Sequence, residues 1–251
     1  MRLQGKTALI TGSTSGIGAE VALQFAREGA SAIVINGPPS VGQETVRDLS
    51  EKIQAAGARV TFIPADVSDE NAVRDLVAGT LSFCEHLDIL VNNAGIAHAN
   101  MVEDLDIETW DRVMGVHLRG TFLVTHSVLP LMYKQGHGRI INTASQLAYL
   151  GAPGVSAYIA AKAGIIGFSR SLAREIGSRN VRVNCVAPGT TQTPILDSVP
   201  PDVLKQVTAA IPVGKLATPD QIAPAYVFLA SKDGDHFQGQ CISPNGGDVF
   251  L

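Results

Sequence analysis

The sequence predicts an α/β fold: a doubly wound parallel sheet of about seven strands in a three-layer α/β/α arrangement, one domain over residues 1–251. Three observations carry this. Short β-branched runs alternate with longer amphipathic stretches from end to end, the pattern of repeated βαβ units. The runs are apolar throughout rather than alternating, as strands buried on both faces of a parallel sheet require. A glycine-rich turn, Thr11-Gly-Ser-Thr-Ser-Gly-Ile-Gly18, joins the first run to the first helix.

The first strand is read over 7–11, and the helix after the glycine turn over 17–28. The second strand, 32–36, leads to a helix over 41–56 that opens in Val41-Gly-Gln-Glu and stops at Gly57, a suitable C-terminal cap. Strand 59–64 and helix 69–84 follow, then strand 89–93 and one long helix over 108–134. Strand 138–143 precedes a helix over 156–177, strand 181–187 follows it, and helix 219–231 with a short strand 240–243 close the chain. Right-handed crossovers place these helices on both faces of the sheet. The stretch 189–218 breaks the rhythm with Pro194, Pro200, Pro201 and Pro212. A long excursion in a compact fold is usually functional, so this is the expected substrate loop or lid.

Composition narrows the function. Hydrophobic residues are 45% and charged residues 17%, which suits a compact globule and excludes a disordered chain. A net charge of −4 without any lysine or arginine block gives no electrostatic footprint for nucleic acid. No apolar run reaches membrane-spanning length, and the strand pattern from Lys6 to Ile10 leaves no room for a signal peptide. Cys84, Cys185 and Cys241 are odd in number and widely spaced, which argues against a disulfide framework or a zinc site and for a reducing cytoplasm. His86, His98, His126, His137 and His236 show no ligand spacing and read as surface or core groups.

Gly12, Gly16 and Gly18 follow the first strand and open the first helix. That geometry lets backbone approach a pyrophosphate, with the N–H groups and positive dipole of the helix start facing it. The spacing, Gly-x-x-x-Gly-x-Gly, also fits a plain strand-to-helix turn. The ribose of a bound dinucleotide belongs near the end of the second strand, where an acidic residue binds a 2′-hydroxyl and a basic one a 2′-phosphate. Here the chain reads Asn36-Gly-Pro-Pro-Ser40, with Ser15 in the glycine turn, and has neither. A phosphate lacks a counter-charge, so the cofactor is read as NAD or NADP with the balance towards NAD. Asp66 either accepts from an adenine amino group or caps the turn Asp66-Val-Ser-Asp69.

Tyr158 and Lys162, four apart in a helical stretch, share a face. Ser145 lies 13 residues before Tyr158, Asn92-Asn-Ala-Gly95 ends the fourth strand, and Pro188-Gly189 follows the sixth. With the glycine turn, this set resembles the short-chain dehydrogenase/reductase family over nearly the whole chain, in particular the bacterial 3-oxoacyl thioester reductases and 3-hydroxybutyrate dehydrogenases. The resemblance implies a Rossmann-type fold, an NAD(P)-dependent oxidoreductase acting on a small-molecule alcohol or ketone, and a homotetramer. It implies that Tyr158 is the general acid/base. A free phenol titrates near ~10, so Lys162 and the positive nicotinamide ring are expected to lower its pKa. Lys162 would also hold the nicotinamide ribose, and Ser145 the substrate oxygen. Cofactor contacts are expected from Gly12, Ser15, Gly16, Ile17, Gly18, Asn36, Asp66, Val67, Asn93, Ala94, Gly95, Pro188, Gly189 and Thr193, the last being alternatively a helix N-cap before Pro194.

One departure stands out. The family usually carries asparagine in a pattern here reading His117-Leu-Arg-Gly-Thr-Phe122. His117 either takes over a proton relay to Lys162 or is a helix histidine satisfied by a backbone carbonyl. Gln146, Leu147, Tyr149, Leu150, Pro153 and Val155, with the 190–212 loop, are expected to line the substrate pocket. Their mixed, mostly apolar character favours a neutral carbonyl over a bare dicarboxylate. Two other classes fit part of the sequence: a catalytically silent nucleotide-binding scaffold, which only His117 supports, and a methyltransferase, which leaves the Tyr/Lys pair unused.

Overall fold

A computed structural model of the chain describes residues 1–197 and 199–250. Ser198 of the predicted substrate loop and Leu251 of the apolar C-terminal end, Val249-Phe250-Leu251, lie outside the described residues. Seven strands form one sheet: β1 Thr7–Ile10, β2 Ala32–Gly37, β3 Arg59–Pro64, β4 Ile89–Asn92, β5 Gly138–Thr143, β6 Val181–Val186 and β7 Cys241–Ile242. Every pairing is parallel, in the order β3-β2-β1-β4-β5-β6-β7.

The central strands β1, β2 and β4 are buried on both faces, whereas the edge strands β3 and β7 are covered only in part. In β1, Ala8 and Ile10 pack on one side with Phe25, Ile53 and Tyr226, while Leu9 packs on the other with Leu76, Val124 and Leu172. The period of two thus persists, but both sets of side chains are buried. The first layer is α1 Gly16–Arg27, α2 Gln43–Ala55 and α9 Pro219–Ala230; the second is built from α3 Glu70–Cys84, α5 Gly120–Gln135 and α7 Ser156–Ile176.

The predicted helix 108–134 is interrupted. It runs as α4 Ile107–Met114, a π-helical turn Gly115–Arg119, and then α5. The axis continues, but the hydrogen-bond register slips around His117, a device common at functional sites. The expected loop 189–218 is partly helical, with a 3-10 turn Pro194–Leu196 and α8 Pro201–Ala210. Pro201 sits at the first helical position, where its missing N–H costs nothing. A single turn, α6 Leu147–Leu150, follows β5.

The order of strands creates the site. The chain leaves β1 for β2 and β3, then returns to lay β4 on the other flank of β1. Connections from the carboxyl ends of β1 and β4 diverge there, leaving the crevice where ligands bind in doubly wound sheets.

Candidate active site

The glycine turn leaves β1 at that crevice and is clasped by the end of β4. Thr11 Oγ1 accepts from the N–H groups of Asn93 (3.0 Å) and Ala94 (3.2 Å), and Asn93 Nδ2 donates to the carbonyls of Gly12 (2.9 Å) and Thr11 (3.2 Å). Space is the reason for glycine here. A Cβ on Gly12, which has φ +59, would lie 2.5 Å from Ala94 Cα, and one on Gly18 would lie 2.4 Å from the Gly12 carbonyl oxygen. Ser15 is the N-cap of α1, yet no side chain caps that helix. Its first-turn N–H groups, including those of Gly16, Ile17 and Gly18, therefore have no side-chain cap and are open to an anion. These features fit a dinucleotide pyrophosphate.

Asn36 supports this turn from behind. Its Nδ2 donates to the carbonyls of Ile63 (3.1 Å) and Ala65 (3.2 Å), and its Oδ1 accepts from Gly12 N–H (3.4 Å). The buried amide is consumed by backbone, so it ties β2, β3 and the glycine turn together rather than reaching outward for a ribose. Asp66 does cap its turn, accepting from Ser68 N–H (2.9 Å) and Ser68 Oγ (2.7 Å), and it pairs with Arg112 at 2.7 Å. Burial opposes the Asp66 carboxylate, but these bonds outweigh it and hold the pKa down. Val67 is buried against Gly120, where a Cβ would meet Val67 Cγ2 at 2.7 Å. Thr193 occupies an N-cap position before Pro194 without a capping bond, and its methyl group faces Gly16. Pro188 accepts from Gln146 N–H (3.1 Å), and Gly189 passes so near Asn245 that a Cβ would meet its Cα at 2.7 Å.

Ser145, Tyr158, Lys162 and His117 converge beyond β5. The Ser145 hydroxyl neighbours the Tyr158 phenol and favours its charged form. Lys162, one turn along α7, is buried and donates to the Thr143 carbonyl at 2.6 Å, with Nζ 5.6 Å from the Tyr158 ring centre. The His117 ring meets Tyr158 edge-on, with centres 5.2 Å apart. Gly95 is pinned here too: a Cβ would touch His117 Cε1 at 2.6 Å.

Burial governs the electrostatics. It raises the Tyr158 pKa, with the Ser145 hydroxyl pulling the other way, and it lowers that of Lys162 to about 7. The expected depression of the phenol by a lysine ammonium is thus not the dominant effect in this pocket. Desolvation moves both groups towards their neutral forms. His117 is driven down to about 3, by burial first and then by Lys162, against the opposing bond to Ile96. Its Nε2 lies 3.1 Å from Ile96 N and 2.9 Å from Ile96 O, so the tautomer decides which bond is made, while Nδ1 is buried without a partner.

The family model described as Enoyl-(Acyl carrier protein) reductase matches residues 12–248. The 3-oxoacyl-[acyl-carrier-protein] reductase FabG of Thermotoga maritima is 37% identical, covering 100% of both chains. The chain belongs to the short-chain dehydrogenase/reductase family. The (2S)-[(R)-hydroxy(phenyl)methyl]succinyl-CoA dehydrogenase subunit BbsD of Thauera aromatica is 42% identical over 98% of both chains. The crystal structure of levodione reductase superposes with a TM-score of 0.91 at 32% identity, covering 98% of each chain. As a short-chain dehydrogenase/reductase, the protein is an NAD(P)-dependent oxidoreductase that moves a hydride between nicotinamide and a secondary alcohol or ketone.

Several contacts at this site escape sequence reasoning. Thr143 holds Lys162 through a backbone carbonyl, which no side-chain signal announces, and its hydroxyl meets the buried Tyr226 hydroxyl at 2.8 Å. Gln146, next to Ser145, donates to Asp248 at 2.6 Å and leaves its own carbonyl oxygen buried without a partner. His98, read as an ordinary surface or core group, has both ring nitrogens buried and unpaired near His117. Among the described residues no helix is long and apolar enough to cross a membrane.

Proposed function

We propose that this short-chain dehydrogenase/reductase interconverts a neutral ketone and its secondary alcohol, a 3-oxoacyl thioester being the first candidate, with Tyr158 as general acid/base. The observation that carries the residue assignment is buried Lys162, one helical turn from Tyr158, with its Nζ held by the Thr143 carbonyl 5.6 Å from the Tyr158 ring centre. The nicotinamide supplies or accepts the hydride when bound. Tyr158 gives its phenol proton to the substrate oxygen in reduction and takes it back in oxidation, while Ser145 donates to that oxygen and stabilises charge developing on it. Lys162, titrating at about 7, exchanges a proton with the site at neutral pH. With a pKa of about 3, His117 works as a neutral ring: it anchors Ile96 and can relay a proton only by exchanging Nδ1–H for Nε2–H.

The substrate reading rests on the exposed apolar side chains flanking Ser145 and the loop after β4. Tyr149, Leu150, Met101 and Val102 are all open to solvent, and Asn100 N–H bonds the Gly154 carbonyl, joining the two walls. Both curated relatives are named for acyl groups carried on a carrier protein or CoA. NAD is favoured over NADP because Ser15 and Gly37 to Ser40 offer a 2′-phosphate no cation. The reading includes a cytoplasmic homo-oligomer, a tetramer by family resemblance, with Phe122 on α5, 46% exposed and set against Phe168 of α7, as one apolar contact.

The test is absorbance at 340 nm with NADH and NADPH in parallel against acetoacetyl-CoA, simple ketones and oxidised sugars. Thioester reduction supports the substrate reading; turnover confined to sugars overturns it. Tyr158→Phe should abolish turnover while cofactor still binds, and substantial retained activity would refute the acid/base assignment.

A further inference from the structure

Two of the three cysteines are neighbours. Cys185 in β6 and Cys241 in β7 are register partners across a parallel pairing, although far apart in the chain. Register partners on adjacent strands point to the same face, and strands lie about 4.8 Å apart. That spacing falls within the roughly 4.4–6.8 Å between Cα atoms that a disulfide spans. Cys241 packs against the buried cluster that holds Cys185, and both cysteines are free. We infer that Cys241 and Cys185 form a redox dithiol that a hydroperoxide converts to an intramolecular disulfide.

The surroundings divide the labour. Cys241 is half-buried, with the exposed Tyr149 in its neighbourhood. The Cys185 thiol, then the Tyr149 hydroxyl and Arg170, outweigh burial and lower the Cys241 pKa, giving it the thiolate character that attacks peroxides. Cys185 is buried and bonded to Ser169 Oγ at 3.1 Å, and its pKa is raised, so it suits the second, resolving step. Cys241 sulfur attacks the peroxide O–O bond, takes one oxygen as sulfenic acid and releases an alcohol. Cys185 sulfur then displaces that oxygen, which leaves as water with the thiol proton. Two thiols lose two electrons and the hydroperoxide gains them.

Two features make closure possible and consequential. β7 is a two-residue edge strand, paired on its β6 side alone. The pair also belongs to a small buried cluster with Ala144, adjacent to Ser145, and Ile165, three residues past Lys162. Cys84 serves as an internal control: it is buried on α3, its pKa pushed up to about 11 by burial.

The experiment treats the full-length protein with tert-butyl hydroperoxide, followed by peptide mapping without reduction. The expected result is a linked peptide pair containing Cys185 and Cys241, two hydrogens lost, Cys84 still a thiol, and full reversal by dithiothreitol. Cys241→Ser should form no link, and Cys185→Ser should leave a sulfenic acid at Cys241 that a cyclic dione traps. Should the Cys185 variant not fold, wild type against Cys241→Ser decides alone. Three intact thiols after excess peroxide, a sulfinic acid at Cys241 without a link, or a link only between two molecules would each overturn the inference.

Discussion

Lys162 should weaken the fold it serves. Its side chain is 3% exposed, and burial brings its pKa from 10.5 to about 7. At ~1.4 kcal/mol per tenfold change, that displacement corresponds to about 5 kcal/mol against the charged form. Lys162→Met keeps most of the stem's volume and removes the ionisable head. The Thr143 carbonyl loses its partner at 2.6 Å, which returns about 1–3 kcal/mol of cost. The net expectation is a variant more stable by about 2–4 kcal/mol, or roughly 5–15 °C in Tm for a domain of this size. Between about pH 7 and 10.5 the unfolded chain holds the lysine proton and the folded one does not, so wild-type stability rises with pH across that window. Below about 7 the penalty is complete. The advantage of Lys162→Met should therefore be greatest near pH 6 and shrink towards pH 9–10, read by thermal denaturation without added cofactor. A variant less stable near pH 6, or a gap independent of pH, would refute the reasoning. Turnover should fall sharply in the same variant, the stability–activity trade-off of a strained site.

Three further expectations follow from the same geometry. His117→Ala should slow turnover and alter its pH profile, whereas His117→Asn, which can still bond Ile96, should restore much of the rate; an unchanged rate and profile in the alanine variant would sink the relay. Asp88→Ala should cost about 2–3 kcal/mol in urea denaturation, because the Thr7 N–H at 2.9 Å loses its acceptor and Lys6 and His137 lose their carboxylate. Burial opposes the Asp88 charge, but the bonds from Thr7, Lys6 and His137 prevail and lower its pKa, so this contribution is present above the unfolded value of ~3.9 and disappears as pH falls through the folded one. Gly12→Ala, forced to positive φ against Ala94, should lose at least about 2 kcal/mol of stability and bind NADH more weakly by fluorescence titration.

The alternation of apolar runs with amphipathic stretches is enough to place all seven strands, with no end displaced by more than one residue, because burial of the central strands on both faces leaves a contiguous signal. The π-helical turn at Gly115–Arg119 left none. A shift of hydrogen-bond register changes no composition, so one helix over 108–134 is what periodicity can report. α8 was masked by Pro200 and Pro201, which read as loop residues although one of them begins a helix. Asn36 was expected to meet the cofactor, but whether an amide points outward or into backbone depends on β3, which pairs with β2 later in the chain. The link from Gln146 to Asp248 spans 102 residues, and no local pattern announces it.

The clasp between Asn93 and the glycine turn also constrains how the molecule assembles. The strand, turn and helix that carry the nucleotide motif are contiguous and complete within the first thirty or so residues, yet beyond the support of Asn36 the bonds that complete the turn come from residues 81 to 83 positions further on. During synthesis the motif must therefore wait, chemically intact but unshaped, until β4 has emerged and closed that span, a long loop whose entropy is recovered only on docking. A fragment ending before β4 would keep every glycine of the motif and still lack the pocket.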